Sequence, residues 1–210
     1  NAAKLVYDTD KYQKRGEFGE LMLHALLRET RQTEPAISKI FFKDASNNTV
    51  KGFDAVHVID TPNGLELWLG EVKFYKDINT AIRDVIKELS AHFQDNYLRQ
   101  EFGLIANKLD ANWTGSEKLR RLLHENTSLD EVVSAIVVPV LLTYESPTTQ
   151  AHTSTTPTYK AAIEAELQKH HTQFAAKNQT THVRIELFLM PMKSKKVLVS
   201  ELHSRLKLMQ

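Results

Sequence analysis

The feature that most restricts the fold of this 210-residue chain is a pair of apolar, strand-forming runs around a single turn. Val56-His57-Val58-Ile59 and Leu65-Glu66-Leu67-Trp68-Leu69 flank Thr61-Pro62-Asn63-Gly64, so the segment reads as a β-hairpin. With those four residues as the loop, Asp60 faces Leu65, and counting back along both strands sets Asp54 opposite Glu71. Opposed residues share a face, with Cβ atoms about 5 Å apart. Two carboxylates so placed repel, and a fold keeps both only with a compensating cation or by protonating one. A divalent metal ion meets that need. Two other registers stay open. A two-residue Asn63-Gly64 turn sets Asp54 against Lys73 but leaves Pro62 in a ladder where it has no N–H to donate. A three-residue loop turns Asp54 to the other face.

On the second strand Leu67, Leu69, Glu71, Lys73 and Tyr75 alternate onto one side, so an apolar face becomes charged at Glu71. Burying unpaired charge is costly, and the change therefore marks a site or a sheet edge. Glu71-Val72-Lys73 alone carries little weight, because such a triplet recurs by chance and an exposed Glu–Lys pair adds little stability. The weight comes from its company: Asp54, the hairpin, and an acidic helix that begins near Gly16. There Phe18, Leu21, Met22, Ala25 and Leu26 recur at helical spacing, with Glu17, Glu20, His24 and Arg28 along the neighbouring stripe. Glu20 is thus a further candidate, its plainer alternative being a carboxylate favoured by the helix N-terminus. The nine histidines, His24 and His57 among them, are scattered without ligand spacing, and there is no zinc motif.

The order Glu20 on a first helix, Asp54 on a strand, Glu71-Val72-Lys73 on the next strand and then a long helix resembles the core of the PD-(D/E)xK nuclease superfamily. More narrowly, Gly19-Glu20, Lys51-Gly52-Phe53-Asp54-Ala55-Val56-His57 and Leu69-Gly70-Glu71-Val72-Lys73-Phe74-Tyr75 resemble the HamA family, the nuclease subunits of the Hachiman antiphage defence system. These motifs cover residues 17 to 75, and Phe53 stands where the superfamily's name places proline. The resemblance implies a mixed α/β, restriction-endonuclease-like core, with a central hairpin carrying the D…ExK motif and helices flanking it. It also implies hydrolysis of DNA phosphodiester bonds with Mg²⁺ or Mn²⁺, and a helicase partner. Asp54, Glu71 and the main-chain carbonyl of Val72 would hold the metal, with Glu20 a further or water-bridged ligand; Mg²⁺ suits such oxygen donors and keeps several waters. Lys73 would position or deprotonate the attacking water and offset transition-state charge.

Size and composition suit one domain with a full core, as 41% of the residues are hydrophobic. The absence of cysteine excludes a disulfide framework and suits a reducing cytoplasm. Neither a signal peptide nor a membrane span is evident. The longest apolar run, Ala135 to Leu142, is too short to cross a bilayer, carries Pro139 and reads as a buried strand. A start at Asn1-Ala2 without methionine suggests a trimmed or processed end.

Beyond the hairpin, Ile78 to Leu98 reads as one long amphipathic helix that covers the sheet beside the site. Gln94 and Tyr97 near its end read as surface and packing residues. A helix from Ser116 to His124, capped by Ser116, precedes a strand from Val132 to Tyr144. The polar, low-complexity segment 145–158 reads as a mobile loop. A helix from Tyr159 to about Ala176, a strand from His182 to Met190 and a helix after Pro191 complete the chain.

Charge strains a simple nuclease reading. With 27 basic and 26 acidic side chains the net charge is +1, so the molecule as a whole offers no strong field for DNA. Affinity must be local or come from a partner. Lys39, Lys43 and Lys51, with Lys73 and Lys76, form one candidate basic rim. Lys193, Lys195 and Lys196 form a second cluster, which charge patterning alone leaves as a solvated face. Two other readings stand beside a partnered nuclease: a restriction-type endonuclease acting alone, and a noncatalytic DNA-binding or docking domain on the same fold. The intact Asp54, Glu71 and Lys73 argue against the latter.

Overall fold

The hairpin forms the centre of a five-stranded sheet in the order β1-β2-β3-β4-β5. This computed structural model describes residues 16–38, 52–109, 113, 115–180 and 182–208. Lys39, Lys43 and Lys51 of the expected basic rim lie outside the described residues. The strands are β1 (Glu34–Ser38), β2 (Ala55–Thr61), β3 (Gly64–Phe74), β4 (Ile136–Glu145) and β5 (Arg184–Met192). Helix α1 (Glu17–Arg31) precedes them. Between β3 and β4 run α2 (Ile78–His92), α3 (Asp95–Lys108), α4 (Ser116–Leu122) and α5 (Leu129–Ser134). The pair α6 (Pro147–Ala151) and α7 (Pro157–Lys177) leads to β5, and α8 (Lys195–Leu208) follows it. The first three strands pair antiparallel, whereas β3, β4 and β5 pair parallel through helical crossovers. The fold is thus a mixed α/β sheet flanked by helices.

The register follows the four-residue reading of the turn, with Asp60 opposite Leu65 and Ala55 opposite Gly70. Thr61 closes the turn: its hydroxyl donates to the Gly64 carbonyl at 2.8 Å and accepts from the Asn63 N–H at 3.2 Å. Pro62 therefore stands clear of the ladder. One step before Ala55, the Asp54 N–H still donates to the Gly70 carbonyl at 2.8 Å.

Period-two alternation on β3 then sorts the two faces. Leu67 and Leu69 pack with Ile82, Val85 and Leu89 of α2 and Phe174 of α7. On the opposite face Trp68 and Val72 meet Leu23 and Leu27 of α1, and Phe74 meets Phe18, Met192 and Val199. The run expected as a buried strand is β4, its residues Ile136 to Tyr144 all buried. Pro139 sits in it between the pairs Trp68–Val137 and Glu71–Val140, where it can offer no N–H. Gly70 lies across from it by the same register. A Cβ there would lie 2.8 Å from Leu23 Cδ2, 3.1 Å from Ala55 Cβ and 3.5 Å from Pro139 Cγ, so the bare glycine lets helix, strand and proline close up beside Glu71.

Four expectations need correction. The long helix Ile78–Leu98 is two helices, because Gln94 is extended (φ −79°, ψ 137°) and starts α3 afresh. The stretch expected as strand from Val132 begins instead as α5, capped by the Ser128 hydroxyl accepting from the Glu131 N–H at 3.2 Å. Segment 145–158 is not an unstructured loop. It holds α6 and the start of α7, because Ser146 and Thr156 are each a side-chain N-cap followed by proline at the first helical position. Ser116 is the first residue within α4, whose N-cap is Gly115.

Gly70→Ala should destabilise the fold by about 1–3 kcal/mol, because the added methyl overpacks a site with no slack. Urea unfolding checks this; an unchanged midpoint and slope would show that the neighbours yield freely.

Candidate active site

Glu20, Asp54, Glu71, Val72 and Lys73 all line one open cavity of about 470 Å³. Each arrives there from a different local cause. Gly19 lets α1 lie tight on β3, since a Cβ in its place would be 3.0 Å from both Phe74 Cβ and Val72 Cγ2. Glu20, the next residue, is carried to the cavity wall and is 8% exposed. Asp54 sits just before β2, where its Oδ2 accepts the Val72 N–H at 2.9 Å. That bond ties the carboxylate to the middle of the ExK segment. Glu71 and Lys73 lie on the face of β3 that α2 covers, only 2% and 7% exposed.

The electrostatics follow from that burial. Desolvation pushes the Glu71 carboxyl up to about 7, and the Asp54 charge pushes the same way against the opposing pulls of His92 and Lys73. Burial alone would lower Lys73. Its bond to Glu88, with the nearby Glu71, Glu88 and Asp54 charges, outweighs that and holds the ammonium above its usual value.

Two cavity residues on α2 were not singled out by the sequence. Glu88 accepts from the Lys73 ammonium. His92 brings Nδ1 to 2.7 Å from Glu71 Oε1, close in distance but without full hydrogen-bond alignment. His92 is stacked on Tyr97, with ring centroids 4.5 Å apart and planes 10° from parallel, and Phe53 meets it edge-on at 5.0 Å. Tyr97, expected as a packing residue, lines the cavity, whereas Gln94 is exposed and donates to the Ser90 carbonyl at 3.0 Å. The available signal was the i, i+4 spacing of Glu88 and His92 along the margin of the apolar stripe.

His24 and His57 do not line the cavity. They form a chain behind it: Thr33 Oγ1 lies 2.6 Å from His57 Nδ1, and His57 Nε2 lies 2.5 Å from His24 Nδ1. Burial lowers both, His57 to about 3 with His24 and Arg28 adding to the effect, so the pair stays neutral.

The donors at Asp54 and Glu71 are hard oxygens suited to Mg²⁺ or Mn²⁺, and a buried carboxyl facing another carboxylate is short of positive charge. Among the described residues no group of three or more His, Cys, Asp or Glu side chains is spaced as a metal site. An ion held by Asp54 and Glu71 would need its remaining ligands from main-chain oxygen, water or phosphate.

A mixed sheet with this hairpin at its centre and helices on both faces defines a restriction-endonuclease-like α/β protein. The chain matches the HamA family model over residues 1–206 and belongs to that family, which makes it a Hachiman-associated defence protein. No curated protein matches it. No helix among the described residues is long and apolar enough to cross a membrane.

Glu71 has a consequence for pH. Its folded value lies above its usual 4.5, so the folded state holds the proton more tightly, and the associated stability is present at low pH and lost as pH rises toward about 7. In metal-free protein the loss should be roughly 3 kcal/mol. Urea unfolding of wild type and Glu71→Gln across that range isolates it; equal pH slopes in the two proteins would remove Glu71 as the source.

Proposed function

We propose that this protein is a divalent-metal-dependent DNA nuclease that hydrolyses phosphodiester bonds and acts with a helicase partner in antiphage defence. The observation that carries the reading is the buried Glu71 carboxyl beside Asp54 with Lys73 in the same cavity. A structural salt bridge does not need a second carboxylate, and burying Glu71 beside half-buried Asp54 without a ligand to neutralise it is costly.

Asp54, Glu71 and the Val72 carbonyl would hold the ion, with Glu20 reaching it through a bound water. When bound, the ion would acidify a water and offset the charge on the attacked phosphate. Burial keeps a proton on Glu71 up to about pH 7, and taking up a cation requires releasing it. Asp54 is held to the Val72 N–H and so presents its carboxylate in a fixed direction. Lys73 is the group best placed to steady a negatively charged transition state. Because its ammonium is held above the usual value, positioning water and offsetting charge suit it better than accepting a proton. Glu88 anchors it by accepting from its ammonium.

The helicase partner is what membership of the HamA family suggests, and the chain's charge is consistent with it. With a net charge of +1, the chain has little long-range attraction for DNA, and a partner that delivers the duplex supplies what the charge does not.

Two measurements test the reading. Mg²⁺ or Mn²⁺ should raise the melting temperature of wild type, more at pH 8 than at pH 6, and Asp54→Asn should lose the shift. Equal shifts in both proteins would move the metal elsewhere. Lys73→Ala should cut DNA slower by about 10²- to 10⁴-fold while keeping its fold and its partner. A wild-type protein that leaves DNA intact with metal and its partner present would overturn the nuclease reading.

A further inference from the structure

A second cavity, of about 540 Å³, adjoins the first and shares Tyr75 and Lys195 with it. Three lysines line it, Lys76, Lys195 and Lys196, against the single carboxylate of Asp77. Lys76 follows β3 and the other two open α8, so only the fold brings the hairpin's basic end to the C-terminal lysine cluster.

Pairing within the fold does not account for this cluster. Asp77 is committed to capping α2, its Oδ1 accepting the Thr80 N–H at 2.7 Å. Glu145 is also spent on backbone: its Oε1 accepts the Lys195 N–H at 2.8 Å, and its own N–H donates to the Lys76 carbonyl at 2.8 Å. Neither Lys76 nor Lys196 has a carboxylate partner among the described residues. Lys195 and Lys196 occupy the first turn of α8, the helix end where positive side chains are disfavoured. The Lys195 ammonium is pinned all the same: it donates to the Phe74 carbonyl at the end of β3 and lies 4.5 Å from the centre of the Phe74 ring. Burial lowers Lys195, and the Lys76 charge lowers it further, against the opposing pull of the Glu145 charge. Like charges gathered round a cavity that also offers the hydroxyls of Thr80 and Ser200 match a phosphate-rich ligand.

We propose that this cavity holds the sugar-phosphate backbone of the nucleic acid beside the scissile position, with Lys76 and Lys196 contacting phosphates and Lys195 fixed at the junction of the two cavities. The proposal rests on the nuclease reading for its ligand, a DNA strand. It supplies locally the attraction that the near-neutral whole molecule lacks.

Binding without cleavage tests it. The full chain, in EDTA, is titrated onto a short fluorescein-labelled duplex, and separately onto the matching single strand, across a NaCl series. Lys76→Gln/Lys196→Gln alters two exposed side chains outside the catalytic set, so its fold should be kept. Lys169→Gln/Lys177→Gln on α7, also exposed, removes the same charge elsewhere. The cavity variant should bind severalfold more weakly at low salt, with a log–log salt slope shallower by about 1 to 2, whereas the α7 variant should follow wild type. Equal losses in the two variants, or none in either, would overturn the proposal. If wild type never cuts DNA yet the cavity variant alone loses slope, the binding site stands and only the nuclease reading falls.

Discussion

The constraint on which the site depends is a carboxyl group buried at 2% exposure in the middle of a sheet. Glu71 cannot be left there charged without help, and its surroundings are arranged to give it. Lys73, two residues on, lies on the same face. Helix α2 answers both with Glu88 and His92, one turn apart. Two residues along a strand span about 6.7 Å and four along a helix about 6 Å, so the two pairs can form at once, Glu71 with His92 and Lys73 with Glu88. Because α2 runs back over β3, the pairs are nested in sequence, and one helix face meets two ionisable groups on one strand face.

The break between α2 and α3 belongs to the same arrangement. In an unbroken helix Tyr97 would lie about 140° round the axis from His92, too far to touch it. The extended Gln94 turns the chain, and Tyr97 returns to stack on the His92 ring while Phe53 closes its edge. His92 is thus fixed by aromatic neighbours on two sides, and its reach to Glu71 is set by packing. Burial and the carboxylates of Glu101 and Glu71 hold the Tyr97 hydroxyl well above its usual value, so it stays protonated at the cavity wall.

What could be read from the sequence was whatever local chemistry dictates. Turn residues and alternation gave the hairpin register, and with it Asp54 beside Glu71; the run from Ala135 announced a buried strand despite its proline. The failures share a cause. Apolar periodicity runs through residues 78 to 98 without a gap, because nothing local forbids a helix at Gln94; the break reflects tertiary packing. The polar content of 145–158 reads as loop unless Ser146-Pro147 and Thr156-Pro157 are seen as caps. Glu88 and His92 border an apolar stripe, a place where charged residues are ordinarily solvated. The meeting of Lys76 with Lys195 needs two crossovers and a C-terminal helix, which no local pattern encodes.

On the proposed reading, these internal pairings also make a resting state. With no cation present, a proton neutralises Glu71 and Glu88 balances the Lys73 ammonium, which leaves the Asp54 carboxylate, tied to the Val72 N–H, outside these two pairings. A cation held by Asp54 and Glu71 would require that proton to leave, and a phosphate drawn toward Lys73 would compete with Glu88, which is itself half-exposed. Either change alone leaves a charge unbalanced in a buried place. Together they offset one another in part. Cation and phosphate are then each better accommodated in the other's presence, a coupling that arises from sharing one buried cluster of charge. It would give a physical reason for the proposed catalytic set to sit within a nearly neutral protein: the grip on the reacting phosphate would come with the cation, while the lysine-lined cavity would hold the neighbouring backbone.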